Sequence, residues 1–144
     1  LDWDLAGQPD HAGLQRWVAD LNRVYREEPA LHQRDFSGDG FEWIDGNDYE
    51  NSVLTFLRWP DEGRPILVAC NFTPVVREGY LAGVPLAGAW REIVNSDAPL
   101  YGGSGVGNLG RVEATDKPWH GRSHSLSLTL PPLGVVMFTP EIAQ

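Results

Sequence analysis

Six carboxylates crowd one stretch of the chain: Asp35, Asp39, Glu42, Asp45, Asp48 and Glu50. Glycoside chemistry needs two carboxyls roughly 5 to 9 Å apart in different environments. Spacing alone identifies no such pair here, and a solvated acidic face accounts for the run. Asp35-Phe36-Ser37-Gly38-Asp39-Gly40 opens like a calcium-binding EF-hand loop, but its twelfth position, where a bidentate Glu belongs, is Gly46. A polar loop is expected instead. His120 and His124 are spaced for two metal ligands, yet two ligands do not close a zinc site, so hydrogen-bonded histidines are expected. Gly105-Val106-Gly107-Asn108-Leu109-Gly110 fits the dinucleotide fingerprint, which works only between a strand and a helix N-terminus. A glycine-rich stretch precedes it and a strand-like run follows, so it reads as a turned loop. Cys70 lies within the apolar Ile66-Leu67-Val68-Ala69-Cys70 and reads as an inert filler. Trp3, Trp43, Trp59, Trp90 and Trp119 remain. An exposed indole offers a flat platform for a sugar ring; a buried one fills a core.

Two kinds of element must position these groups. Leu14, Trp17, Val18, Leu21, Val24 and Tyr25 recur at helical spacing and form one apolar stripe. Asp10 is the expected N-cap and Pro29 the end. Burying six such side chains yields on the order of 10 kcal/mol, less than the entropy of ordering the helix backbone at ~1–2 kcal/mol per residue. The helix therefore needs a docking partner, which is expected to lie outside this chain.

Beyond Pro29 the period changes to two. Strands are expected near Phe41–Asp45, Ser52–Trp59, Ile66–Phe72, Glu78–Val84, Trp90–Asn95, Arg111–Ala114, Ser125–Leu130 and Val135–Thr139. Pro60-Asp61-Glu62-Gly63 reads as a hairpin loop, and Pro131-Pro132-Leu133-Gly134 as a turn setting the last two strands antiparallel. Eight short strands imply a mainly β fold, an antiparallel β-sandwich.

A net charge of −9 disfavours nucleic acid and anionic lipid, both of which attract cationic surfaces. A neutral polymer would be indifferent to it. With Cys70 the lone cysteine, no intrachain disulfide can form, as suits a reducing cytoplasm. No apolar run approaches the ~20 residues that span a bilayer. The opening Leu1-Asp2-Trp3-Asp4 carries neither an initiator Met nor a signal-peptide pattern, so a piece of a longer protein is expected.

Several phrases, in order and spacing, carry a family resemblance. They are Leu1-Asp2-Trp3; Leu14-Gln15 through Asp20-Leu21-Asn22; Gly40-Phe41-Glu42-Trp43; Asn71-Phe72-Thr73-Pro74; Trp90-Arg91-Glu92-Ile93; and His124 through Pro132. Across essentially its whole length the chain resembles the C-terminal end of bacterial glycogen (1,4-α-glucan) branching enzymes, of the α-amylase superfamily. The resemblance implies that residues 1–29 are the last loop and helix of a catalytic (β/α)8 barrel. It implies that residues 30–144 are the all-β domain beside that barrel, and that the orphan helix faces the barrel. The implied reaction cuts an α-1,4 glucan and passes the chain to a 6-hydroxyl, by retaining double displacement on an Asp nucleophile, a Glu acid/base and a supporting Asp. No position here matches those three residues, so this piece is expected to be inactive alone. No cofactor or metal is implied. The implied partners are α-glucan (glycogen, amylose) and the barrel of the same polypeptide, in the bacterial cytoplasm. Trp3 and Trp43 are the expected glucan contacts. The rival readings are a stand-alone β-sandwich carbohydrate-binding module, a purely structural domain, and the C-terminal domain of a related α-glucan hydrolase.

Overall fold

The computed structural model describes residues 2–141; Leu1 of the opening phrase lies outside the described residues. A 3₁₀ turn at Trp3–Gly7 leads into one helix, α1 (Pro9–Glu27). Eight strands follow: β1 (Phe41–Asp48), β2 (Val53–Arg58), β3 (Ile66–Asn71), β4 (Arg77–Val84), β5 (Ala89–Asn95), β6 (Arg111–Glu113), β7 (His124–Leu130) and β8 (Gly134–Pro140). Every expected run is a strand, with small shifts at its ends. They form two antiparallel sheets, one ordered β1-β2-β3-β8-β5-β6 and the other pairing β4 with β7. The mainly β sandwich is thus observed, with one large leaf and one small.

Alternation decides which side chains enter the core. Val53, Thr55 and Leu57 of β2 point inward, while Leu54, Phe56 and Arg58 face the other way and are half-buried. Between the sheets Leu57, Leu67, Trp90, Leu126, Leu128, Leu130, Val136 and Phe138 are fully buried. Strand β3 is covered on both faces: Leu67 and Ala69 look into the sandwich, while Ile66 and Val68 meet Ala30. That is why it reads as a continuous apolar run. Thr55 and Asn71, both buried, find partners, while the buried Ser125 hydroxyl has none. The Thr55 hydroxyl accepts from the Asp45 N–H at 3.1 Å. The Asn71 amide donates to the carbonyls of Val75 (2.8 Å) and Pro131 (3.0 Å).

Three expectations need correction. The N-cap of α1 is Gln8, in extended conformation, not Asp10. Pro9 takes the first helical position, where a missing N–H is harmless, and Asp10 sits in the first turn, its charge facing the positive end of the helix dipole. Second, the helix has a partner within this chain. Trp17 packs edge-on against Tyr101 at 5.0 Å, Arg16 donates to the Leu100 carbonyl at 2.7 Å, and the Tyr101 hydroxyl donates to Asp20 at 2.6 Å. Val24 is buried, yet Leu14 and Val18 stay 60 % and 49 % exposed. At 100° per residue, the packed set (Gly13, Trp17, Asp20, Val24) and the exposed set (Leu14, Val18, Tyr25) lie roughly 110° apart around the helix. Third, Pro131–Gly134 does not close a hairpin: β7 belongs to the small sheet and β8 pairs with β3 and β5. The turn carries the chain across the sandwich.

Candidate functional site

Trp3 opens the first 3₁₀ turn, which the Asp2 carboxylate caps by accepting from the Asp4 N–H at 3.1 Å. Its side chain is 77 % exposed. Trp43 stands on β1 and is 53 % exposed. Phe41, two residues earlier on the same strand face, meets it edge-on at 4.8 Å. Phe56, its register partner on β2, lies at 6.0 Å and stacks on Phe41 at 5.0 Å. This aromatic patch continues the outer face of the large sheet, the face on which α1 lies.

The two tryptophans do not form one site. Trp3 precedes the N-terminus of α1. Trp43 adjoins the opposite end, where Tyr25 donates to Asp35 and Arg58 ties Asp35 to β2. The 19-residue helix between them is about 28 Å long at 1.5 Å per residue.

The acidic stretch lies largely in solvent, as expected, but most of its carboxylates are also tied to other parts of the chain. Asp35 accepts from Tyr25 at 3.2 Å and from Arg58. Glu42 accepts from the Trp59 indole at 2.9 Å and from Arg122. Asp48 accepts from the Asn51 amide and the Tyr80 hydroxyl, both at 2.9 Å. Asp45 accepts from the Asn47 N–H at 2.8 Å and faces His120 Nε2 at 3.4 Å. Asp35, Asp39, Glu42 and Glu50 are exposed, and Asp45 and Asp48 are half-buried. The hydrogen bond from Arg58 holds the Asp35 carboxyl below the usual carboxylate range. Burial pushes Asp48 up, but the donations from Asn51 and Tyr80 outweigh it and leave that carboxyl low as well. A general acid needs the opposite shift. These carboxylates hold strands and turns together.

The other motifs resolve in the same way. His120 Nδ1 accepts from the Gly83 N–H at 3.2 Å, which leaves the proton of a neutral ring on Nε2, toward Asp45. His124 faces Asp116 at 3.1 Å. Each histidine has its own carboxylate, and among the described residues no three His, Cys, Asp or Glu side chains converge on a metal position. The glycine-rich loop is tightly turned: Asp97 accepts from Ser104 and Val106 N–H groups, and Asn108 donates to Glu92 at 2.7 Å. Burial raises the Glu92 carboxyl, while the bonds from Asn108 and Asn95 draw it back. Strand β6, not a helix, follows the loop. Trp90 is core, its indole donating to the Leu86 carbonyl at 3.2 Å. Sequence spacing missed Tyr101, Arg58 and Arg122, which anchor the helix and the first strands. Their partners lie 81, 23 and 80 positions away, beyond any local pattern.

What the described residues present is exposed aromatic faces on a β-sandwich, with their acidic side chains engaged mainly in holding strands and turns. No helix among the described residues is long and apolar enough to cross a membrane. Residues 43–141 match the family described as alpha amylase, C-terminal all-beta domain. A 1,4-alpha-glucan branching enzyme GlgB from Aromatoleum aromaticum is 59 % identical over 142 residues, covering 99 % of this chain and 22 % of the relative. The protein of the same name from Aquifex aeolicus is also 59 % identical, over 98 % of this chain and 22 % of its own length. That from Pseudomonas syringae pv. tomato is 55 % identical, over 98 % and 19 %. The chain thus spans about a fifth of the length of these curated relatives. Among solved structures, an alpha-amylase from H. orenii superposes with a TM-score of 0.52 over 94 % of this chain and 21 % of the other, at 18 % identity. At that identity the likeness is one of fold.

Proposed function

The chain belongs to the family of alpha-amylase C-terminal all-beta domains, and on that premise we propose that it is the C-terminal part of a 1,4-α-glucan branching enzyme. The observation that carries this reading is high identity over nearly the whole chain, helix included, to relatives of that name. Such coverage favours it over a stand-alone carbohydrate-binding module. In this reading residues 1–29 are the last loop and helix of a (β/α)8 barrel, and residues 30–144 form the domain beside it. The family match begins at Trp43, beyond the helix, which supports that division. So does the double-sided helix: Trp17 and Val24 pack on the chain's own elements while Leu14, Val18 and Tyr25 offer a second apolar face.

The whole enzyme would sever an α-1,4 glucan and transfer the chain to a 6-hydroxyl, its catalytic carboxylates lying outside these residues. The part played here is to close the barrel and to offer Trp3 and Trp43 as stacking faces for the glucan. Bacterial relatives and a single cysteine support a cytoplasmic setting. The test is the full-length protein assayed on amylose, with new α-1,6 linkages counted by proton NMR; a protein that forms none overturns the reading. In the same assay Trp3→Ala and Trp43→Ala should each raise the apparent KM by roughly two- to tenfold, the worth of one aromatic contact. An unchanged KM removes that residue from the glucan path.

A further inference from the structure

Away from α1, the margin between the two sheets carries a groove of about 510 Å³, lined chiefly by β1, β4 and the Trp119–His120 turn. That volume falls within the ~300–1,000 Å³ of ordinary ligand sites. Backbone irregularities converge on it. Strand β1 slips register between Trp43 and Asp45 and again between Asp45 and Asp48, and β4 slips between Arg77 and Tyr80. Such bulges re-aim side chains beside sites, and here Asp45, Asp48 and Arg77 all line the groove. Gly79, inside the β4 irregularity, has φ +66°, which a residue with a side chain rarely adopts.

The polar inventory of the walls selects the ligand. Arg77 donates through Nη2 to the Asn51 carbonyl at 3.3 Å, but its Nε is buried without a partner. Asp45, Asp48 and Glu78 supply acceptors, and His120 offers its Nε2–H. Trp119, 42 % exposed, forms an apolar wall. An anion would be repelled by three carboxylates. A metal ion would meet Arg77, and no three ligating side chains converge on it among the described residues. An apolar ligand would strand the polar walls. A neutral polyhydroxyl molecule satisfies all of them, because each hydroxyl both donates and accepts while the C–H face of the ring lies on the indole.

We infer that this groove is a further carbohydrate site, taking one or two glucose residues of an α-glucan against Trp119, with Arg77, Asp45 and Glu78 binding their hydroxyls. The identity of the sugar rests on the branching-enzyme reading. No residue of α1 lines the groove, so covering the exposed face of the helix does not by itself occupy it. It would hold a branched polymer at a point separate from Trp3 and Trp43.

The experiment is affinity electrophoresis of the full-length protein through native gels of increasing glycogen content, beside the α-1,6 linkage assay. Trp119→Ala should weaken the apparent dissociation constant for glycogen roughly five- to tenfold, and Trp119→Phe should recover most of the loss. Glu78→Ala, a change on the exposed edge of β4 that leaves the core untouched, should weaken it about two- to threefold. Far-ultraviolet circular dichroism checks that each variant is folded. If Trp119→Ala fails that check, Glu78→Ala decides. Unaltered mobility of the folded variants overturns the groove, whatever the enzyme's activity. A wild type that forms no α-1,6 linkages, yet loses glycogen affinity in both variants, sinks the branching reading and leaves the groove in place.

Discussion

At the scale of single residues, the phrases that carry the family resemblance turn out to hold the fold together. Asp20 receives the Tyr101 hydroxyl, Glu42 joins Trp59 to Arg122, and Asn71 holds the carbonyls of Val75 and Pro131. Asp35 ties its loop to two elements at once: α1 through Tyr25 and β2 through Arg58. Its folded-state carboxyl is shifted down, chiefly by the bond from Arg58. Its contribution is therefore fully present above the unfolded value near ~3.9 and is lost as pH falls through the lower folded value. Asp35→Asn should flatten that part of the acid limb when the midpoint of urea unfolding is followed from pH 6 downward; an unchanged slope would mean the ion pair contributes nothing. Sequence could not have supplied these pairings. Asp35 and Arg58 are 23 positions apart, and the acidic run, exposed as its composition suggests, gave no sign of partners that arrive from distant parts of the chain.

At the scale of elements, periodicity was a sound guide to which segments are helix or strand, and to which face of each is apolar. It carried no information about neighbours. Ser125–Leu130 and Val135–Thr139 look like two arms of a hairpin, yet they enter different sheets, because alternation fixes an inward face and not a partner. The stripe on α1 was legible as a unit, but its division between two directions follows from the 99–101 turn against which Gly13, Trp17 and Asp20 pack. Gly13 shows which effect wins. Alanine would favour the helix by ~0.5–1 kcal/mol, but its methyl would stand 2.6 Å from the Tyr101 carbonyl oxygen, a backbone atom. Gly13→Ala should destabilise the chain by about 1–3 kcal/mol, the usual cost of overpacking, and lower its melting temperature. A rise in melting temperature would show that the helix is free to move off the turn.

At the scale of the whole molecule, the exposed face of α1 separates this chain from the longer protein proposed for it. Val18→Asp places a charge where this chain is half open to water, so the 144-residue chain should lose no more than ~0.5 kcal/mol. Buried against a barrel, the same charge should cost several kcal/mol and abolish activity of the full-length enzyme. Equal tolerance in both would mean the helix has no second neighbour.

The order of the large sheet bears on how the chain reaches its shape. Strand β8, the last of the eight to be synthesised, is a central one, and its Phe138 pairs with Leu67, 71 positions back. Until residue 140 has left the ribosome, β1–β3 and β5–β6 are two fragments with no seam between them. High contact order of this kind slows folding and prolongs exposure of unpaired strand edges. A premature stop between Glu113 and Gly134 would therefore release two adhesive half-sheets, and such products should be found with chaperones or in inclusion bodies.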